Sequence, residues 1–467
     1  MGFLSNKHTK NILYTVFPGI LSIILTFFTI PIFINLIPKE LYANYLIQHF
    51  ILTLGMIFNF QLGKIASIKI QNLNKKIKKN IIFTTIFYTA ISGIFSSVSI
   101  YLILLIFSKY FKFFDLNISI IFGLFFTILY ITLEYIVRGI RGFKSTSLTN
   151  LLFYSLSISI PGILILFKDY NEYIINNLFN ISVLIKLFSL LLLFIILFKE
   201  NYFKKVSLNF NYRKTFIFHS KWMTLNSIYN QVYDYFDKYI IKLSIGATML
   251  INYSISQQIA AKMTIFSNAI ISVILPKLSI RGKTEEKKKI FSANFYMFYF
   301  LTASIIIVTL PFYEIVLMWW LKDGYSKEIL DLFKIFLTLT FLGSCSNIII
   351  SLYEATSIEK KNTKLESITF LPFLIALFVG IYFKNIFYFA IILLIKEFIL
   401  LKIRIFQIKK FILNFKLLII QNFLFTSVLL FSLIDFNFMS IFAAFIMIVI
   451  LTLIKPFKFF KKEFLIK

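Results

Sequence analysis

The sequence predicts an all-α polytopic membrane protein of twelve to fourteen transmembrane helices, and three observations predict it. First, 59% of the 467 residues are hydrophobic and only 15% are charged, well below the ~25% charge usual in soluble domains. So few charges cannot solvate a chain of this length. Second, the apolar residues come in runs of about 17–28 residues, the length needed to cross a ~30 Å hydrocarbon layer as a helix. Segment 81–108 is such a run without a single charge. Third, the loops between runs alternate between strongly basic ones and short ones with few lysines.

The apolar runs place helices at 11–37, 43–63, 81–108, 118–137, 148–167, 177–198, 216–245, 250–275, 292–319, 329–352, 367–383, 386–405, 417–433 and 438–454. In lipid the backbone N–H and C=O groups have no water partner, so each run must satisfy them internally as a helix. The N-terminal region, the even-numbered loops and the C-terminal tail carry 35 of the 49 Lys and Arg residues, while the odd-numbered loops and their flanks carry eight. Cytoplasmic loops collect basic residues, so this alternation predicts an even helix number with both termini cytoplasmic. The first apolar run is too long for a signal-peptide core and reads as a retained helix. Pro18, Pro31, Pro161, Pro311 and Pro372 fall inside spans, where each removes an intrahelical bond and kinks its helix.

The organisation divides into a six-helix lobe over 1–198, a basic cytoplasmic linker over 199–215, a second six-helix lobe over 216–405, and a helix pair with a basic tail over 406–467. Strongly basic loops follow the second helix of each lobe, an internal-repeat signal of the kind transporters show. The net charge of +29 does not point to nucleic acid, because the basic residues lie in short juxtamembrane clusters suited to anionic membrane lipids. The single cysteine, Cys345, excludes an intrachain disulfide. There is no GxxxxGK phosphate loop and no HExxH, and no loop exceeds about 17 residues. The chain therefore reads as no enzyme, with no cofactor, and transport without covalent chemistry is the simplest function left.

Ionisable groups at membrane depth are costly and by default face a cavity or a partner. In the seventh helix Asn226, Asn230, Tyr233, Asp234 and Asp237 recur at helical spacing and so share one face. Lys238 follows Asp234 by one turn, a spacing that allows an ion pair. A structural ion pair and a cation or proton site are the competing readings. In the eighth helix Tyr253, Gln257, Ala261, Thr264 and Asn268 share a face, with Lys262 beside it near mid-membrane. Lys262 either offers a cation to an anionic substrate or pairs with a neighbouring carboxylate. In the fourth helix Glu134 and Arg138 are four residues apart, the favourable order for a helical ion pair; phosphate recognition by Arg138 is the alternative. Lys186 in the sixth helix has no local partner in sequence, and Lys396 and Glu397 in the twelfth are placed to neutralise each other.

The segment YDYFDKYIIKLSIGATMLINYSISQQIAAKMTIFSNAIISVILPKLS resembles the seventh and eighth helices of polysaccharide flippases. Asp237, Lys238, Gly246, Tyr253, Pro276 and Ser279 stand at the matching positions. The chain thus resembles the Wzx-type O-antigen and polysaccharide transporters of the multidrug/oligosaccharidyl-lipid/polysaccharide superfamily. The sharp part of the likeness is about 45 residues; the rest is hydropathy profile. It departs at Asn59–Phe60–Gln61–Leu62–Gly63, where the family has an acidic or Gly-rich turn.

The resemblance implies two six-helix lobes in a MATE-like arrangement in a bacterial inner membrane. It also implies flipping of undecaprenyl-diphosphate-linked oligosaccharide to the outer leaflet by alternating access. It carries cavity roles to Asp234, Asp237 and Lys262, with H+ or Na+ coupling through a cavity carboxylate and other polysaccharide-assembly membrane proteins as partners. The rival readings are a drug or cation antiporter and a lipid-linked peptidoglycan precursor flippase. A membrane polysaccharide polymerase would need a large external loop, which the chain lacks.

Overall fold

The computed structural model describes residues 7–70, 73–111, 117–140, 142–167, 172–204, 206–208, 212–278, 284–309, 312–356 and 358–412. Among these every regular element is helical. Twelve passes follow in order: α1 (Lys7–Leu36), α2 (Lys39–Phe58) with α3 (Leu62–Lys69), α4 (Lys75–Phe111), α5 (Ser119–Gly139), α6 (Phe143–Asn150) with α7 (Ser157–Leu164), α8 (Glu172–Lys199), α9 (Tyr212–Gln231) with α10 (Asp237–Ser244), α11 (Ala247–Ala261) with α12 (Thr264–Leu278), α13 (Thr284–Thr309), α15 (Lys327–Ala355), α16 (Glu359–Tyr382) and α17 (Ile386–Gln407). A short helix, α14 (Tyr313–Leu321), precedes α15. The helices expected at 417–433 and 438–454 lie outside the described residues.

In the run read as one helix over 292–319 the described residues form α13, to Thr309, and α14, from Tyr313; residues 310 and 311 between them lie outside the described ones. Several helices also start two turns before their apolar run. α4 begins at Lys75, α13 at Thr284 and α16 at Glu359, because Lys, Glu and Gln are good helix formers whose heads stay in water while the helix continues below.

Two helices are central. α5 packs against α2, α3, α4 and α8; α15 packs against α11, α12, α13 and α17. Accordingly, 72% of the most apolar stretch of each is buried, against 28% for α4 and α16. The exposed faces of the outer helices are apolar: Phe95, Phe167, Phe378 and Tyr382 are each at least three-quarters exposed, as a lipid-facing surface requires. The two six-helix lobes meet where α1 packs on α12 and α14, and where α2 packs on α9 and α11.

The helices are irregular at three places, two of them on passes that meet at this seam. The second pass breaks at Asn59, and Phe60 and Gln61 adopt left-handed φ of 47° and 54°, a conformation that strains residues with a Cβ. The Asn59 side chain supports the break, its Oδ1 accepting the Gln61 N–H at 2.7 Å. The seventh pass carries a π-helical turn at Val232–Phe236 and the fifth another at Leu151–Leu156; such turns widen a helix and often mark functional sites. Just past the break, Gly63 lets α3 lie against α5: a Cβ there would sit 2.6 Å from the Cα and carbonyl oxygen of Thr132.

Gly63→Val is therefore expected to destabilise the protein by about 1–3 kcal/mol, the usual range for overpacking. The readout is a lower Tm in detergent. Gly343→Ala, where nothing lies within 4 Å of the added Cβ, is the control and leaves Tm unchanged.

Candidate functional site

Charged and amide side chains inside the passes fall into three groups by partner. The first is sealed. Asp237 is 0% and Lys238 2% exposed, on the first turn of α10. Lys238 Nζ lies 3.6 Å from Asp237 Oδ1, whose other oxygen accepts the Tyr253 hydroxyl. Asp237 Oδ1 also accepts the Lys238 backbone N–H at 2.7 Å. The lysine ammonium stands 5.0 Å from the Phe50 ring centre. Phe336 closes the far side of Tyr253 edge-on at 4.8 Å. Lys238 thus has a carboxylate partner in its neighbour Asp237. The expectation that Asp237 faces an open passage is not what this conformation holds: the carboxylate sits in packed interior. The side chain of Asp234 lies outside the described ones.

The second group links helices through ion pairs. Arg138 Nη2 meets Glu134 Oε1 at 2.5 Å, the local pair expected from their spacing. Arg404, 1% exposed, pairs with Glu366 on α16, with Glu397 on its own helix at 3.2 Å, and with Asn362 Oδ1 at 3.1 Å. Glu397 therefore pairs with Arg404, not with Lys396; the Lys396 ammonium lies 3.2 Å from the Tyr233 ring centre. Lys64 on α3 reaches both carboxylate oxygens of Glu354, at the end of α15, at 2.7 Å. One turn back, Gln61 Nε2 donates to Ser227 Oγ on α9 at 3.1 Å. Both contacts cross between lobes at the end that carries the basic loops. At the opposite end Lys242 bonds Asn44, and Phe27 stacks on Trp320 at 5.1 Å.

The third group holds cations on neutral oxygen. Lys186 on α8, 8% exposed, donates to the Phe153 carbonyl at 3.3 Å and lies 3.9 Å from the Phe153 ring centre. The π-helical turn of the fifth pass presents both. Lys262, between α11 and α12, donates to Ser22 Oγ on α1 at 3.1 Å across the lobes. Neither lysine has a carboxylate partner among the described residues. Close to Lys186, His49 of α2 sits 3.5 Å from Ser182 Oγ. Asn230 is exposed and Gln257 half-buried.

Sequence reading reached Lys186, Lys262, Asp237, Lys238 and the Glu134–Arg138 pair, but missed Lys64–Glu354, Arg404 and His49. Pairing between passes separated by hundreds of residues leaves no spacing signal. The only available hint was that Lys64 and Glu354 both lie at the mouths of basic loops.

The chain matches, over residues 8–281, a family model described as a polysaccharide biosynthesis protein. It is 24% identical over 165 residues to a Shigella flexneri protein assigned as an O-antigen transporter; the match spans 35% of this chain and 40% of that relative. Among solved structures it resembles an outward-facing multidrug-resistance MATE-family transporter of the MOP superfamily, with TM-score 0.65, 13% identity, and coverage of 86% of this chain and 95% of the other. A Vibrio cholerae MATE transporter gives TM-score 0.61 at 12% identity, covering 86% and 96%. At this identity the likeness is one of fold.

Two outcomes are expected for the charged pairs. Asp237→Asn, which removes a carboxylate partner of the buried Lys238 ammonium, lowers stability by about 3–5 kcal/mol, read as Tm; the double variant D237N/K238M recovers most of it. At the seam, Lys64→Glu and Glu354→Lys each impair transport, and the combined charge swap restores it, measured at equal membrane protein level.

Proposed function

For a chain that belongs to the polysaccharide biosynthesis protein family and carries a MATE-like transporter fold, we propose that it moves a lipid-linked oligosaccharide bearing a diphosphate across the membrane by alternating access of its two lobes. One observation carries the reading. The carboxylates Glu134, Asp237, Glu366 and Glu397 within the passes are each tied to a cation, while Lys186 and Lys262 are held only by neutral oxygens and a ring. Among the described side chains the interior therefore has positive charge in excess, which favours an anionic cargo over a drug cation. A cationic drug would need the reverse, an unmatched carboxylate.

The geometry assigns each part a role. Lys262 holds α12 to α1 through one hydroxyl bond. That bond is easily exchanged for a phosphate oxygen, a stronger charge-assisted acceptor. Lys186 supplies the second cation within the N-terminal lobe. Asn230 and Gln257 offer amides to sugar hydroxyls, while the lipid tail stays in the bilayer. Polar contacts join the lobes at both ends: Lys64–Glu354 and Gln61–Ser227 at one, and Lys242–Asn44 beside the Phe27–Trp320 stack at the other. Breaking one set while keeping the other opens the seam to one side, as rocking-lobe transporters do. By the basic-loop rule the Lys64–Glu354 end is cytoplasmic.

The test is accumulation of lipid-linked oligosaccharide on the cytoplasmic leaflet of cells that depend on this chain. Lys186→Gln and Lys262→Gln are each expected to lower delivery to the outer leaflet about tenfold or more at normal protein level, with Lys→Arg retaining part of it. Unimpaired delivery in both Gln variants would rule out the assignment.

A further inference from the structure

We propose that the groove between α16 and α17 binds the headgroup of an anionic phospholipid, a site separate from the path of any cargo. Lys361, Lys364, Leu365 and Ile368 of α16 and Gln407 at the end of α17 line a cavity of about 390 Å³, within the roughly 300–1,000 Å³ of small-ligand sites. The four α16 residues recur at spacings that put them on one face. The polar groups at the mouth are donors. Lys361 and Lys364 are both exposed, and neither ammonium has a partner among the described residues. Gln407 is oriented: its Oε1 accepts the Tyr353 hydroxyl at 2.8 Å, which leaves its amide N–H groups for the groove. Two ammonium groups and an amide, with apolar Leu365 and Ile368 as the wall, suit a phosphodiester attached to something greasy.

Two further features choose a lipid over a free phosphate. Below Lys364 the same face of α16 continues as Ile368, Leu371, Ile375 and Phe378, exposed by 62%, 64%, 55% and 76%. This stripe gives acyl chains a track that starts at the lysines. At the level of the mouth, Trp222 of α9 lies beside α16, with Lys221 at 5.1 Å and Lys360 at 5.6 Å from its ring centre. Tryptophan with basic neighbours is the usual marker of the headgroup layer. The groove therefore opens where phosphates lie, and its charge complements theirs.

The experiment follows thermal unfolding of the full-length chain in neutral detergent, titrated with phosphatidylglycerol or with phosphatidylcholine of the same acyl chains. The expected result is a saturable rise in Tm with phosphatidylglycerol and a markedly smaller one with phosphatidylcholine. In Lys361→Gln/Lys364→Gln the apparent affinity for phosphatidylglycerol falls about 10- to 30-fold, the loss expected for two lysines near an anionic surface. Lys75→Gln/Lys76→Gln, which removes the same charge at the exposed start of α4, retains wild-type affinity. Glycerol phosphate, lacking chains, does not compete at equal concentration. The proposal is overturned if the two lipids act alike, if both double variants weaken equally, or if glycerol phosphate competes on equal terms. It is also overturned if wild type responds to neither lipid, the result expected when a protein segment fills the groove.

Discussion

A charge inside a hydrocarbon layer must find its counter-charge within the protein, because no water is available to solvate it. That requirement organises the interior of this chain. Glu366 and Glu397 converge on Arg404, tying α16 to α17; Asp237 is held by Lys238 and the Tyr253 hydroxyl, tying α10 to α11; Lys64 and Glu354 tie α3 to α15. Each pair replaces solvation lost on burial with a partner on a neighbouring segment, so it fixes which helices stand together. Lys186 and Lys262 are the exceptions. Their partners are a carbonyl with an aromatic face and a hydroxyl. Such partners offset part of the desolvation but leave the charge unneutralised, and an incoming anion completes what the fold leaves open.

The helical irregularities sit where this logic needs them. A regular α-helix engages each carbonyl in its own ladder, so a buried lysine must share that oxygen with a backbone N–H. The π-helical turn at Leu151–Leu156 locally loosens that ladder, and the Phe153 carbonyl within it accepts from both Lys186 and Ser157. The break at Asn59 turns Gln61 toward Ser227 and places Lys64 one turn later against Glu354. Left-handed backbone at Phe60 and Gln61 is costly, and it persists here beside contacts between lobes. Strain at a seam is what a hinge requires: the pieces on either side are rigid, and the conformational change is confined to a few torsions.

Much of the fold was legible in the sequence. Apolar run length and loop charge gave the twelve passes to within a few residues, since both respond to the bilayer, which is uniform along the chain. Helix starts were misjudged by two turns at Lys75, Thr284 and Glu359 because hydropathy sees the membrane edge, not the helix end. Of the site, the Glu134–Arg138 pair was legible from its spacing, while Lys396 and Glu397, expected to neutralise each other, went to separate partners. The Lys64–Glu354 and Arg404 pairs were not legible, because what brings α3 to α15 or α16 to α17 is three-dimensional packing, and side-chain spacing along one helix carries no information about it. The same blindness put Asp237 on a passage wall. A π-helical turn separates exposed Asn230 from Asp237 on the seventh pass, and Asp237 meets Tyr253 and, through Lys238, Phe50.

That displacement of Asp237 changes which chemistry the interior offers. A carboxylate locked to an adjacent ammonium and a phenol contributes little net field at a distance, so it neither attracts a cation strongly nor repels an anion. Lys262, with no carboxylate partner among the described residues, stands at the junction of α11 and α12 and bonds Ser22 of α1 across the lobes. On the transport reading proposed above, a polyanion arriving there would compete with Ser22 for the same ammonium. Binding would then weaken a contact between the lobes. Cargo recognition and release of the seam would be one event, and coupling of this kind lets a transporter move only when it is loaded.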